Sequence, residues 1–503
     1  MRRNSIMKTL LVFQIFVSAA FGWRVFHLGK FWGPKTPVQP ASSFPDLWFD
    51  QKLDHFDPTN SETWKQRYFV NDNYYEKGGP VFLMIGGEGK ADPIWMEQGM
   101  WVEYAKQFKA LCFQVEHRFY GKSHPTKDMS VKNLVYLSSE QALADLSFFI
   151  RSMNKKYSLS KRVQWVTFGG SYPGSLSAWM RLKYPHLVHA AVSASGPLLA
   201  VADFSEYMRV VRDSLATHSE ECVTSVQEAN RQLDILLRHR IGQQKVDKLF
   251  NLCDTVVDVS KNDISNLYEN LAGNFAGVVQ YNKDNRLFEG AKDANITIDV
   301  VCDVMTNSSI GSAITRYAAV NDLLLKTYEQ KCLDYKYDNM IKGYQNVSWD
   351  SSTAAGGRQW MYQTCTEFGF YQTSTQPTQP FGNQFPLDFF IQQCSDIYGP
   401  RYNKELLSSG ILRTNVMYGA LQVEVNRVVF VHGSIDPWHA LGITKSDNND
   451  APAIYINGTA HCANMYPESS ADPPQLTAAR HSITGLLAQW LQPSSRSVRF
   501  RPM

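Results

Sequence analysis

The stretch Arg162-Val163-Gln164-Trp165-Val166-Thr167-Phe168-Gly169-Gly170-Ser171-Tyr172-Pro173-Gly174 decides the fold. A β-branched and aromatic run favours a strand, two glycines end it, and the residues after Ser171 are compatible with a helix. That order is the layout of a nucleophile elbow, where a strand turns sharply into a helix and presents a serine Oγ at the sheet's edge. The G-x-S-x-G pattern is broken at its last position, where Pro173 stands. Proline fits the first turn of a helix, where no N–H is needed, but its ring can crowd a tight turn. The bland alternative makes Ser171 only a helix N-cap.

The flanking sequence alternates strand and helix. Residues 64–70, 80–85 and 111–115 read as strands, and the second ends in Gly86-Gly87-Glu88-Gly89. A helix opens at Ser138 and runs to about residue 154, with Leu143, Leu146, Phe149 and Ile150 on one face. Tyr184-Pro185 stops the helix after the elbow, and residues 189–194 form the next strand. Such alternation implies a parallel sheet covered on both faces. From Asp203 to about residue 421 it gives way to a helical, polar, cysteine-bearing pattern. It resumes at 427–431 and 453–456, and a helix over about 475–491 follows. The expected architecture is an α/β fold of the α/β-hydrolase type, with a large disulfide-bonded helical cap inserted between sheet strands. The expected partition is 1–22 signal peptide, 23–46 leader, 47–200 first sheet part, 201–421 cap and 422–495 second sheet part.

An α/β-hydrolase carries its triad in the order Ser, Asp, His, with the last two following late strands. Asp436 follows the strand at 427–431 in His432-Gly433-Ser434-Ile435-Asp436-Pro437-Trp438, and His461 follows the strand at 453–456 in Gly458-Thr459-Ala460-His461-Cys462. A serine hydroxyl is a poor nucleophile, so His461 is expected to take its proton and Asp436 to orient the imidazole. The bland readings are a simple turn at Asp436-Pro437 and a structural histidine at 461. His432 and His439 compete with His461, but His439 lies three residues from Asp436 and would be a strained partner. The oxyanion donors are expected to be the backbone N–H groups of Tyr172 and of Gly87. Glu88, in the same loop, reads equally as a substrate-facing carboxylate or as merely solvated.

Composition narrows the class. The chain has 503 residues, 44% of them apolar, and a net charge of +3. That balance, without a basic run, argues against a nucleic-acid partner. No C-x-x-C, no H-E-x-x-H and no G-x-G-x-x-G after a strand occurs, so neither a metal nor a cofactor is expected. Arg2, Arg3 and Lys8 precede an apolar stretch over 10–21, and Ala20-Phe21-Gly22 supplies small residues for signal cleavage. The stretch is short for a bilayer span, which makes a signal anchor the lesser reading and leaves no span in the mature chain. The prolines at 34, 37, 40 and 45 suit an irregular leader. Sequons at Asn295, Asn307, Asn346 and Asn457 support secretory routing to an extracellular or endosomal/lysosomal destination. Cys222, Cys253, Cys302, Cys332, Cys365 and Cys394 are the disulfide candidates, and six cysteines allow 15 pairings. Cys112 reads as a buried free thiol.

Several segments resemble one family of serine exopeptidases, the one containing lysosomal Pro-Xaa carboxypeptidase, dipeptidyl peptidase II and thymus-specific serine protease. They include Gln51-Lys52-Leu53-Asp54-His55-Phe56, Gly86-Gly87-Glu88-Gly89, Glu116-His117-Arg118-Phe119-Tyr120-Gly121, Gly169-Gly170-Ser171-Tyr172, Asp436-Pro437-Trp438 and the His461 loop. Asp203-Phe204-Ser205-Glu206-Tyr207, Gly277-Val278-Val279-Gln280-Tyr281 and the segment from Arg358 to Tyr371 look most like the thymus-specific branch. The resemblance implies a capped α/β-hydrolase with Ser171, Asp436 and His461 as triad, acting on peptide ends with a preference for proline. Trp438, Trp360, Glu367 and Glu88 are the candidate substrate-binding residues, although aromatics in such numbers ordinarily form core. The partners implied are peptide substrates, and a homodimer is compatible with the sequence. Pro173 departs from the small residue that relatives carry. An esterase of the same fold, or a binding protein on this scaffold, are the competing readings.

Overall fold

The computed structural model describes residues 44–284 and 291–492, with the backbone of β1 (Phe26–His27) and β2 (Lys30–Phe31). The expected signal peptide lies outside the described residues. Within the expected irregular leader, β1 and β2 pair as a short antiparallel ribbon.

The first sheet strands are β3 (Leu47–Lys52), β4 (Thr63–Asn71), β5 (Val81–Ile85), β6 (Leu111–Val115), β7 (Trp165–Gly170) and β8 (Val188–Ala194). After them β9 (Val201–Asp203) and β10 (Gly369–Tyr371) form a separate parallel pair. The main sheet then gains β11 (Val428–Gly433) and β12 (Ala453–Ile456). Its spatial order is β12-β11-β8-β7-β5-β6-β4-β3. The six strands from β12 to β6 are parallel, while β4 and β3 run antiparallel at one edge. The sheet is therefore mixed, not wholly parallel as the alternation alone implied.

Alternate side chains fill two cores. Leu83, Ile85, Phe113, Trp165 and Phe430 pack with the helices Ser139–Lys156 and Tyr172–Lys183. Phe82, Met84, Phe168, Val192 and Val431 pack with Met100–Phe108 and Pro474–Trp490. Both faces are thus dry, which is why the central strands are continuous apolar runs. Strand order reverses at β5, with β6 on one side and β7 on the other. Ligands of open α/β sheets bind beyond the carboxyl ends of strands at such a reversal. The loop 86–89 and the elbow leave the sheet there.

Between β8 and β11 the chain is mostly helical. The long helices Glu220–Leu237, Lys261–Gln280 and Ala313–Thr327 lie in this insertion. The β9/β10 pair and one π-helical turn over Thr364–Phe368 are departures from the purely helical expectation. All six candidate cysteines pair, as Cys222–Cys302, Cys253–Cys332 and Cys365–Cys394. Loops of 80, 79 and 29 residues are closed, each worth about 4 kcal/mol in the chain-entropy account. Cys112 and Cys462 are free and buried. Among the described residues, no helix is long and apolar enough to cross a membrane.

Candidate active site

The elbow is built from close approaches. Ser171 has φ 66° and ψ −136°, a conformation that costs a non-glycine residue roughly 1–3 kcal/mol and persists only where its surroundings enforce it. Its N–H donates to the Ala194 carbonyl on β8 at 2.9 Å, and its own carbonyl accepts from Gly174 N at 2.8 Å. A Cβ on Gly169 would lie 2.0 Å from the Pro173 carbonyl oxygen, and one on Gly174 2.5 Å from that of Ala194. Glycine is therefore required at both positions. The Ser171 side chain makes no capping hydrogen bond, so the N-cap reading does not describe it. Pro173 sits in the first helical turn, where proline lacks nothing.

Asp436 and His461 follow the adjacent parallel strands β11 and β12. His461 Nδ1 lies 2.9 Å from Asp436 Oδ1, which also accepts from Trp438 N at 3.0 Å. Both side chains are buried, at 2% and 0% exposure. Burial alone would depress the imidazole and raise the carboxyl. Burial is the largest single effect on each, but charge and hydrogen bonding together exceed it: Asp436 and Cys462 raise the His461 pKa, and His461, with His432 and Ser195, lowers that of Asp436. With Nδ1 donating to the carboxylate, neutral His461 carries its lone pair on Nε2, which has no hydrogen-bond partner. The histidine loop abuts the elbow: Cys462 N donates to Ser195 Oγ at 2.9 Å, and a Cβ on Gly170 would meet Cys462 Sγ at 2.7 Å.

Neither competing histidine bonds the Asp436 carboxylate. His439 Nδ1 contacts the Asp436 backbone oxygen at 2.7 Å. His432 is buried without a partner for either ring nitrogen, and burial holds its pKa down at about 4.

The loop after β5 is anchored from beneath. Glu116 accepts from Ala91 N at 3.0 Å, Lys122 N at 2.9 Å and Ser123 Oγ at 2.7 Å, and it pairs with buried Arg67. Arg67 Nη2 in turn donates to the Ala91 carbonyl at 2.8 Å. Glu88 is only 6% exposed. The solvated reading of Glu88 is corrected, because the Gly-rich loop folds inward beside residues the local sequence does not reveal. Its charge acts on His117, Tyr120 and Tyr172.

Tyr172 joins the elbow to the insertion. Its hydroxyl lies 3.1 Å from His117 Nε2 and accepts from Gln363 Nε2 at 3.2 Å. Gln363 Nε2 also donates to Glu367 Oε2 at 3.0 Å. Glu367 accepts from Ser139 N and Oγ, and burial raises its pKa despite those bonds. Trp360 and Trp438 are both buried. They nevertheless belong to one arc of rings from the elbow to His461. Centroid separations are 5.3 Å for Tyr172–Trp360, 5.8 Å for Trp360–Phe368, 5.4 Å for Phe368–Phe370, 5.5 Å for Phe370–Trp438 and 6.4 Å for Trp438–His461.

Sequence reasoning did not single out Gln280. Its carbonyl accepts from His461 N at 2.9 Å, and its Oε1 accepts from Tyr207 OH at 2.8 Å and Trp438 Nε1 at 2.9 Å. An amide at the end of a helix carries no motif. Its only signal was membership of the segment 277–281.

Comparison with known proteins gives one consistent result. A family model described as serine carboxypeptidase S28 matches residues 51–483. The chain is 38% identical over 452 residues to putative serine protease K12H4.7 of Caenorhabditis elegans, covering 88% of this chain and 87% of that protein. It is 34% identical over 460 residues to the thymus-specific serine protease of Mus musculus, covering 90% and 88%. It is 28% identical over 483 residues to the lysosomal Pro-X carboxypeptidase of Homo sapiens, covering 92% of each.

Proposed function

The chain belongs to the serine carboxypeptidase S28 family, and from that premise we propose a serine exopeptidase acting on proline-containing peptides, with Ser171, His461 and Asp436 as its catalytic groups. The observation that carries the reading is the buried Asp436–His461 pair at 2.9 Å, beside an elbow that holds Ser171 at positive φ.

In this mechanism Ser171 Oγ attacks the scissile carbonyl while His461 Nε2 takes the hydroxyl proton. Asp436 stabilises the imidazolium and keeps Nδ1 as the donor. The tetrahedral oxyanion is met by the N–H groups of Tyr172 and Gly87. His461 then gives its proton to the leaving amine, and an acyl-enzyme remains. Water, deprotonated by the same ring, releases the acid. The arc from Trp360 to Trp438 suits a prolyl ring, since a compact apolar pocket with few polar groups favours such a side chain. The name of the human lysosomal Pro-X relative supports that preference. We infer a secretory, extracellular or endosomal/lysosomal location, supported by three disulfides and four exposed sequon asparagines.

The test is labelling by a fluorophosphonate probe together with mass spectrometry of products from proline-containing peptides. Ser171→Ala should abolish labelling and turnover, and the wild type should remove residues from one chain end. Persistent labelling of Ser171→Ala, or internal cleavage only, would overturn the reading.

A further inference from the structure

We propose that Pro173 and Gly87 are an interlocked pair in which the pyrrolidine ring is the stop that fixes the loop after β5. Pro173 is then a positioning residue for oxyanion stabilisation, and the inference rests on the reading of Gly87 as an oxyanion donor. A Cβ built on Gly87 would lie 2.4 Å from Pro173 Cγ and 2.7 Å from Cδ. No side chain survives at such distances, so the ring occupies the volume that a side chain at 87 would fill.

Neither partner has room to retreat. The ring has its φ fixed by the pyrrolidine. Its helix is held by Gly174 against the Ala194 carbonyl and by the Pro173 carbonyl against Gly169. On the facing side, a Cβ on Gly86 would lie 2.5 Å from the Val115 carbonyl oxygen, and Ala91 is tied to Glu116. Ring and loop meet between two fixed walls. A glycine at 173 would leave a gap of ring size behind Gly87 and let its N–H drift. The departure from G-x-S-x-G is thus matched by a glycine across the contact.

The experiment compares four full-length proteins: wild type, Pro173→Gly, Gly87→Ala and the double variant. Turnover of a proline-containing peptide is read as kcat and KM separately. Pro173→Gly should lower kcat about tenfold with KM little changed, and Gly87→Ala should lower it on the order of 100-fold, as misplacement by about 1 Å does. The double variant should exceed Gly87→Ala by about tenfold, because the new methyl enters the vacated ring volume. A double variant no better than Gly87→Ala, or Pro173→Gly with wild-type kcat, overturns the proposal. If Gly87→Ala is not recovered folded, recovery of the double variant is the same rescue. If both are lost, the kcat of Pro173→Gly decides alone. Failure of the wild type to react with a fluorophosphonate probe at Ser171 would instead remove the hydrolase reading, whatever the pair does.

Discussion

Gln280, at the end of an inserted helix, and His461, after the last sheet strand, share a hydrogen bond in which the histidine N–H donates to the glutamine carbonyl at 2.9 Å. The same glutamine holds Trp438 through its side chain, and the Trp438 N–H holds Asp436. One residue of the insertion therefore closes a ring of contacts around the proposed base and its orienting carboxylate.

Removing that side chain should be felt twice. Gln280→Ala leaves the Tyr207 hydroxyl and the Trp438 indole N–H buried without their acceptor. We expect a loss of about 1–3 kcal/mol in denaturant unfolding. We also expect kcat to fall, because the Trp438 backbone N–H holds Asp436, and KM to rise, because the indole of the same residue belongs to the proposed prolyl arc. Unchanged kcat at full saturation would count against the positioning role.

The proposed base has a raised pKa of about 10, since Asp436 and Cys462 together outweigh the large opposing effect of burial. Only the neutral ring takes a proton, so kcat/KM should climb as pH rises through that value in the free enzyme. Asp436→Asn removes the charge that raises it and the acceptor that fixes the tautomer. We expect kcat to drop by about 10⁴-fold, with the acid limb moved to lower pH. A pH–rate profile of both proteins checks the direction of the shift.

Glu269 lies on the inserted helix Lys261–Gln280, and burial pushes its pKa up to about 8. Between the ordinary carboxyl range and that value, the folded protein holds a proton that the unfolded chain releases. Stability from this group therefore falls as pH rises through the window. Glu269→Gln should raise the melting temperature more at pH 8 than at pH 5. Equal gains at both values, in paired thermal scans, would refute the assignment.

All four sequon asparagines are exposed. Each should carry glycan when the chain passes through a secretory host, and glycosidase treatment should lower the apparent mass in steps as Asn295, Asn307, Asn346 and Asn457 are changed singly to Gln. A site whose substitution leaves the mobility unaltered is unoccupied.

Much of this was legible because the central strands are short, mostly apolar runs, and a glycine pair follows β5 and ends β7. β5, β6, β7, β8, β11 and β12 read as short apolar runs, and their tips located Ser171, Asp436 and His461. β3 was not read as a strand, because its burial alternates and Trp48 stands 44% exposed at the sheet's edge. Glu88 was half misread because a carboxylate among glycines looks solvated, while the groups its charge acts on, His117 and Tyr172, come from distant parts of the chain. Gln280 stayed invisible because its contacts with Tyr207, Trp438 and His461 arise only after the insertion has folded back. Pro173 breaks the motif in sequence alone, because Gly87, the residue that makes room for its ring, lies 86 positions away.

All three cystine links lie inside the insertion, and none ties it to the sheet body, whose Cys112 and Cys462 remain thiols. A thiol-rich milieu would slacken the lid without cutting any covalent tie in the body beneath. Because Gln280 belongs to that lid, the imidazole would lose its brace at the same time. Conditions that preserve cystines are therefore the setting in which the insertion, and with it the Gln280–His461 contact, is expected to be most stable.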